Sequence, residues 1–231
     1  MTETIKGRIA AVREKIALSA GRTRRSASEV TLTAVTKTRT VEEMLEAAPY
    51  VDALGENRVQ EAASKKQMWA GSVKIEWRLI GHLQRNKIRK ALVLFDALDS
   101  LDSIEAASGV ERIAEEMGRI VPVLIEVNTS EESGKTGVAP HKFPELLDRV
   151  MECAHMRLEG LMTMGPLTDN EAEARGAFAR LREMAERARV RSALPLPVLS
   201  MGMSGDFEWA ILEGSTMVRI GTALFGARME K

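Results

Sequence analysis

The stretch VTLTAVTKTRTVEE, residues 30–43, decides between two α/β architectures. It begins as a buried β-branched strand, reaches Lys37, turns polar, and runs into the helical pattern TVEEMLEAA. A doubly wound sheet usually sets a glycine-rich dinucleotide turn after its first strand, and TKTRTVEE contains no G-x-G-x-x-G. A closed barrel is therefore preferred.

Working outward, seven more apolar runs follow the first, VTLTAVTK (30–37). They are VDALGEN (51–57), EWRLIGH (76–82), LFDALDS (94–100), VPVLIEVN (121–128), RLEGLMTMG (157–165), LPVLSMGMS (196–204) and MVRIGTALFG (217–226). Between them lie helical candidates such as SIEAASGVERIAEEMG, PELLDRVMECAHM and NEAEARGAFARLREMAERARV. Eight strands alternating with helices predict a (β/α)8 TIM barrel, one domain over residues 1–231. An extra helix within residues 1–24 is expected to pack on it.

The chain has 231 residues, 45% hydrophobic and 29% charged, which suits one sizeable soluble core. Its formal net charge is zero, so no global basic field draws a polyanion, and nucleic acid is not expected as a partner. The basic run Arg85–Lys90 has no interleaved aromatics and reads as solvated helix charge. The single cysteine, Cys153, rules out an intramolecular disulfide and a cysteine-based zinc cluster, and reads as a small helix-core residue. No signal peptide or membrane-length apolar segment is present, which makes the cytoplasm the default location.

In such a barrel, chemistry gathers at the C-terminal ends of the strands, and phosphate is often held by the loops after strands seven and eight. SMGMSGD ends strand seven with Ser204 ahead of a helix opening at Asp206, and RIGTALFG places Gly221 and Thr222 after strand eight. Glycine lets an oxyanion approach the main chain, and both hydroxyls can donate to it. Each is alternatively a turn with capping residues. By period two, Lys37 shares a face with Thr33 and Val35, while Arg219 shares one with Met217 and Gly221. A strand arginine among apolar neighbours needs an anion or strong acceptor, and an ordinary ion pair would also serve. An amine, an arginine and a phosphate cup around one mouth suit a small phosphorylated aromatic aldehyde, the shape of pyridoxal 5′-phosphate.

The segments AVTKTRT, LGENRVQE, WRLIGHLQRNK, VNTSEESGKTGV, LEGLMTMGP and LSMGMSGDFEWAILEGSTMVRIGTALFG resemble those of the pyridoxal phosphate homeostasis protein family. These are barrels similar to the N-terminal domain of alanine racemase, and the resemblance covers essentially the whole chain. It implies Lys37 as the Schiff-base lysine, Arg219 as the contact of the pyridine nitrogen, and Ser204, Gly221 and Thr222 as phosphate contacts. Asn57, His82 and Met203 match positions lining the family's cofactor site. Read without the family, His82 is equally a satisfied structural histidine and Asn57 a helix N-cap.

Two further patterns are set aside. SEESGKTGV suggests a nucleotide P-loop, but Thr129 stands where its first glycine is required. The 129–138 loop is expected as a mobile rim, with Lys135 helping to receive or release the cofactor. Racemase activity needs a second base, which alanine racemase takes from a tyrosine across a dimer carrying an additional C-terminal domain. This chain ends just past strand eight, and its one tyrosine, Tyr50, precedes strand two, at the far end of the barrel. An arginine at the pyridine nitrogen also weakens the electron sink that turnover requires. The expectation is a binder that buffers pyridoxal phosphate and delivers it to apo-enzymes, with little or no catalysis, as a monomer or weak dimer. A pyridoxal phosphate-dependent racemase or lyase is the alternative, and a class I aldolase a third.

Overall fold

The computed structural model describes residues 4–69, 73–130, 134 and 136–227. Its strands are β1 (Thr31–Val35), β2 (Ala53–Glu56), β3 (Glu76–Leu79), β4 (Ala97–Leu101), β5 (Val121–Glu126), β6 (Met156–Met162), β7 (Val198–Ser200) and β8 (Met217–Ile220). They pair in sequence order, all parallel, and β8 closes onto β1. The open-sheet alternative is thereby excluded. Around the barrel lie α2 (Val41–Ala47), α3 (Val59–Met68), α4 (Ile88–Leu94), α5 (Ile104–Glu116), α6 (Phe143–Met151), α7 (Glu171–Ser192), α8 (Phe207–Leu212) and α9 (Thr222–Phe225).

Alternation along each strand sorts side chains between two environments. Leu32, Leu54, Leu79, Leu98, Val123, Ile125, Leu161, Leu199, Val218 and Ile220 point outward and join the helices in one apolar cluster. The opposite set turns into the barrel and is polar toward the C-terminal end, with Thr33, Arg78, Asp99, Glu126, Ser200 and Arg219 all buried. Arg78 and Asp99 close a bidentate pair there, at 2.7–3.0 Å.

The expected N-terminal helix is present as α1 (Ile5–Arg22). It lays Ile5, Ile9, Val12, Ile16 and Ala20 against α2, α8 and α9. Arg8 Nε donates to the Leu224 carbonyl at 2.6 Å, and Arg39 caps the next two carbonyls, those of Phe225, the last residue of α9, and of Gly226 just past it. The C-terminal end of this short helix is thus clamped by two guanidinium groups.

Several strand runs stop earlier than the apolar pattern suggests. β1 ends at Val35, so Lys37 stands in the following turn and not on the strand face. β7 is three residues long, and Thr222–Phe225, within the eighth run, is helical because Leu224 and Phe225 pack outward under α1. Cys153 lies just past α6, not inside it, and its thiol donates to the Arg149 carbonyl at 3.2 Å. Burial pushes that thiol upward, away from a reactive thiolate. Arg85–Lys87 forms a 3-10 turn before α4.

Candidate functional site

A closed parallel barrel delivers the C-terminal ends of all its strands to one rim. Lys37 follows β1, Asn57 follows β2, His82 follows β3, Met203 and Ser204 follow β7, and Gly221 and Thr222 follow β8. Because β8 neighbours β1, these positions occupy one contiguous arc, β7-β8-β1-β2-β3. Beneath it lies Arg219, on the interior face as its alternation predicts and paired in register with Thr33.

The two loops proposed for phosphate meet directly. Ser204 Oγ accepts the Ala223 amide at 3.2 Å, which joins the β7 loop to the first turn of α9. Asp206 Oδ1 accepts the Met203 amide at 2.6 Å and so shapes the same loop from its other end. Gly202 makes the bend possible: its φ is +99°, and a Cβ there would lie 2.6 Å from Ala210 Cβ and 2.8 Å from Phe207 Cα.

Lys37 sits at the corner of a turn closed by the Arg39 amide on the Thr36 carbonyl at 2.9 Å, with Thr38 at φ 65°. The β1–β2 register runs as far as Val35 opposite Gly55, and the Thr36 amide still donates to the Gly55 carbonyl at 3.0 Å, so the turn carrying Lys37 leaves the barrel on the side of β2. His82 Nδ1 faces Asp102 Oδ2 at 2.9 Å, an arrangement in which the ring N–H donates to the carboxylate and Nε2 is turned away from it. A cavity of about 550 Å³ opens between the segments that follow β2 and β3, lined by Asn57, Arg58, Gln60, His82, Gln84 and Lys87. Asn57 does not cap α3; Arg58 holds the N-cap position, with no side-chain bond.

The interior charges went unread in the sequence although Arg78, Asp99 and Glu126 stand inside the strand runs. The signal was there: a charge at an inward position of a parallel strand demands a partner. Arg219 is 4% exposed, and its guanidinium donates to Ser200 Oγ at 2.7 Å and to the Thr163 carbonyl at 2.8 Å. Burial pulls its pKa down, against the charges of Asp99, Glu126 and Asp206. Glu126 is pushed upward by burial, against a 2.6 Å bond from Thr136 and the charge of Arg219. Asp206 is likewise raised by burial. Two buried oxygens in this interior, Thr33 Oγ1 and Glu126 Oε2, have no hydrogen-bond partner among the described residues. Lys135 lies outside the described residues. Tyr50 sits in a 3-10 turn before β2, at the opposite end of the barrel, with Lys6 over its ring at 5.2 Å. No cluster of metal-ligating side chains occurs among the described residues.

Fold and rim together define a cofactor-type barrel, and the chain belongs to the alanine racemase N-terminal domain family, which matches residues 10–229. Within it, the chain groups with the pyridoxal phosphate homeostasis proteins. It is 36% identical to the protein of that name from Pasteurella multocida, covering 97% of this chain and 98% of the relative. The counterpart from Escherichia coli K12 is 39% identical, with 95% of each chain covered. Among solved structures, PipY of Synechococcus elongatus with PLP bound superposes with a TM-score of 0.81 at 35% identity, covering 93% of this chain and all of PipY. Alanine racemase from Corynebacterium glutamicum shares the fold, with a TM-score of 0.70 at 18% identity over 96% of this chain and 62% of its own.

Proposed function

We propose that this protein binds pyridoxal 5′-phosphate at the barrel rim, holds it reversibly on Lys37, and buffers and delivers it to apo-enzymes with little or no turnover. The observation that carries the reading is the contiguous arc from Ser204 to His82 above Arg219, in a chain similar along nearly its whole length to PipY, described with PLP bound. The residues fit the group: a lysine at a turn corner, paired hydroxyl-bearing loops, and buried polar atoms left without partners beneath them. When bound, the cofactor supplies an aldehyde that condenses reversibly with a primary amine and releases water.

The chain's own groups take separate parts. Lys37 provides the amine. Ser204, Gly221 and Thr222 bind the phosphate through hydroxyls and main chain, and Met203 lines the site beside them. Asn57 and His82 orient the ring substituents from the other side, with His82 held in one direction by Asp102. A guanidinium has no lone pair to accept a proton, so Arg219 at the pyridine nitrogen keeps that nitrogen unprotonated. The electron withdrawal needed for racemisation or decarboxylation is then not developed, and Tyr50 is too far removed to act as a second base. The whole chain is read as one such domain, monomeric or weakly dimeric and cytoplasmic. No helix among the described residues is long and apolar enough to cross a membrane.

The test is the visible spectrum of purified protein and of Lys37→Ala with added pyridoxal phosphate, followed by borohydride reduction and peptide mass mapping. A yellow wild type with a pyridoxyl group fixed on Lys37 is the expected result. A colourless wild type that takes up none overturns the reading.

A further inference from the structure

Behind the rim, on the outer side of β2, lies a buried charge cluster that the proposed binding site does not touch. Lys65 of α3 is 5% exposed, and Glu56 at the end of β2 is fully buried. An ammonium removed from water must saturate its three N–H groups, and Lys65 Nζ does so. It reaches Glu56 Oε1 at 2.6 Å, Glu61 Oε1 at 2.7 Å and the Thr36 carbonyl at 2.7 Å. The same two carboxylate oxygens each take one further donor: the Thr36 hydroxyl binds Glu56 at 2.6 Å, and the Thr38 amide binds Glu61 at 2.6 Å.

Every one of these bonds outside the charged trio ends on Thr36 or Thr38, the two residues flanking Lys37. The carbonyl before Lys37, the hydroxyl before it and the amide after it are all fixed from behind, while Lys37 occupies the corner of the turn they form. Thr38 is held at φ 65°, a conformation that β-branched residues adopt only when their surroundings impose it. If the cluster served only to fill space between β2 and α3, well-packed apolar side chains would do as well or better. Apolar side chains could not grip a carbonyl and an amide on either side of one residue.

We infer that Lys65, with Glu56 and Glu61, is a positioning cluster that sets the direction of Lys37 for covalent capture of the cofactor. None of the three touches the ligand. The inference rests on the reading that Lys37 carries pyridoxal phosphate, and the experiment separates the two.

Full-length wild type, Lys65→Met, Lys65→Arg and Glu61→Gln are mixed with pyridoxal phosphate, and the growth of visible absorbance is followed in time. Borohydride reduction and peptide mapping then give the fraction of label on Lys37, and thermal unfolding of the cofactor-free proteins gives stability. The expected result is a tenfold or greater slowing of capture in Lys65→Met and Glu61→Gln, with label spread to other lysines. Lys65→Arg, which keeps the charge, recovers part of the rate. Glu61 is only partly buried, so Glu61→Gln folds and carries the test if Lys65→Met does not. Variants that unfold at lower temperature but label Lys37 at the wild-type rate overturn the inference and leave the binding reading intact. A wild type without label on Lys37 overturns both.

Discussion

Replacing Asp99 by asparagine changes one atom's charge in the middle of the barrel, and the consequence can be worked from the geometry. Arg78 donates to Asp99 through Nε at 3.0 and 2.9 Å and through a terminal nitrogen at 2.7 Å, and both side chains are buried. Asparagine keeps one acceptor oxygen and turns an amide N–H₂ toward the guanidinium in place of the other. A hydrogen bond to a charged group contributes about 1.5–3 kcal/mol, and at least one is lost. Of its anionic partners Arg78 then retains only Glu76, at 2.8 Å and part-exposed, and Arg219 loses the largest of its favourable charges. Breaking a buried pair from one side costs about 3–5 kcal/mol. For a domain of this size each kcal/mol moves the midpoint by about 2–4 °C, so Asp99→Asn should melt about 6–20 °C lower. Urea unfolding measures the free energy directly, with an unchanged slope showing that the same surface is exposed. The companion Arg78→Met/Asp99→Leu should regain most of the loss, because the unpaired charge, not the missing attraction, dominates. A loss below about 1 kcal/mol for Asp99→Asn would refute the reasoning.

Two further outcomes follow from the same interior and its rim. Burial raises Glu126, so between its ordinary value of 4.5 and its folded value the native state keeps a proton that the unfolded chain has released. Stability from this group therefore falls as pH rises past 4.5, and the unfolding free energy of wild type minus Glu126→Gln should decline there and then level off; a flat or rising difference in denaturation at several pH values would contradict this. Gly202→Ala combines a positive φ with a Cβ 2.6 Å from Ala210 Cβ, so it should cost about 3 kcal/mol and shorten retention of pyridoxal phosphate on dialysis by displacing Met203 and Ser204. Wild-type stability and retention in that variant would show that the β7 loop has slack the backbone does not suggest.

The sequence made the barrel readable because each strand is short, apolar on its outer face and separated from the next by helical spacing. What it could not show is where a strand stops. VTLTAVTK continues to look like strand through Lys37, yet the turn closed by the Arg39 amide on the Thr36 carbonyl, with Thr38 at positive φ, ends it at Val35. In MVRIGTALFG the apolar character of Leu224 and Phe225 comes from packing under α1, a contact more than 200 residues away in sequence, so the run conceals a helix. The rim candidates came from the strand-end rule and the family resemblance together, and the structure brings all of them onto one arc. The charges below them were visible as letters but not as partners, since Arg78 and Asp99 are neighbours only through the β3–β4 register. The Lys65 cluster has no linear signature, because it joins a strand end, a helix and a turn.

The arc from Ser204 to His82 also has a temporal meaning. Its lysine lies near the start of the chain and its hydroxyl-bearing loops near the end, and they become neighbours only when β8 pairs with β1. A chain emerging from synthesis therefore carries Lys37 for most of its length without the loops proposed to hold a phosphate beside it. On the proposed reading, uptake of the cofactor therefore waits on the pairing of β8 with β1, the neighbours in the ring that lie farthest apart in the chain.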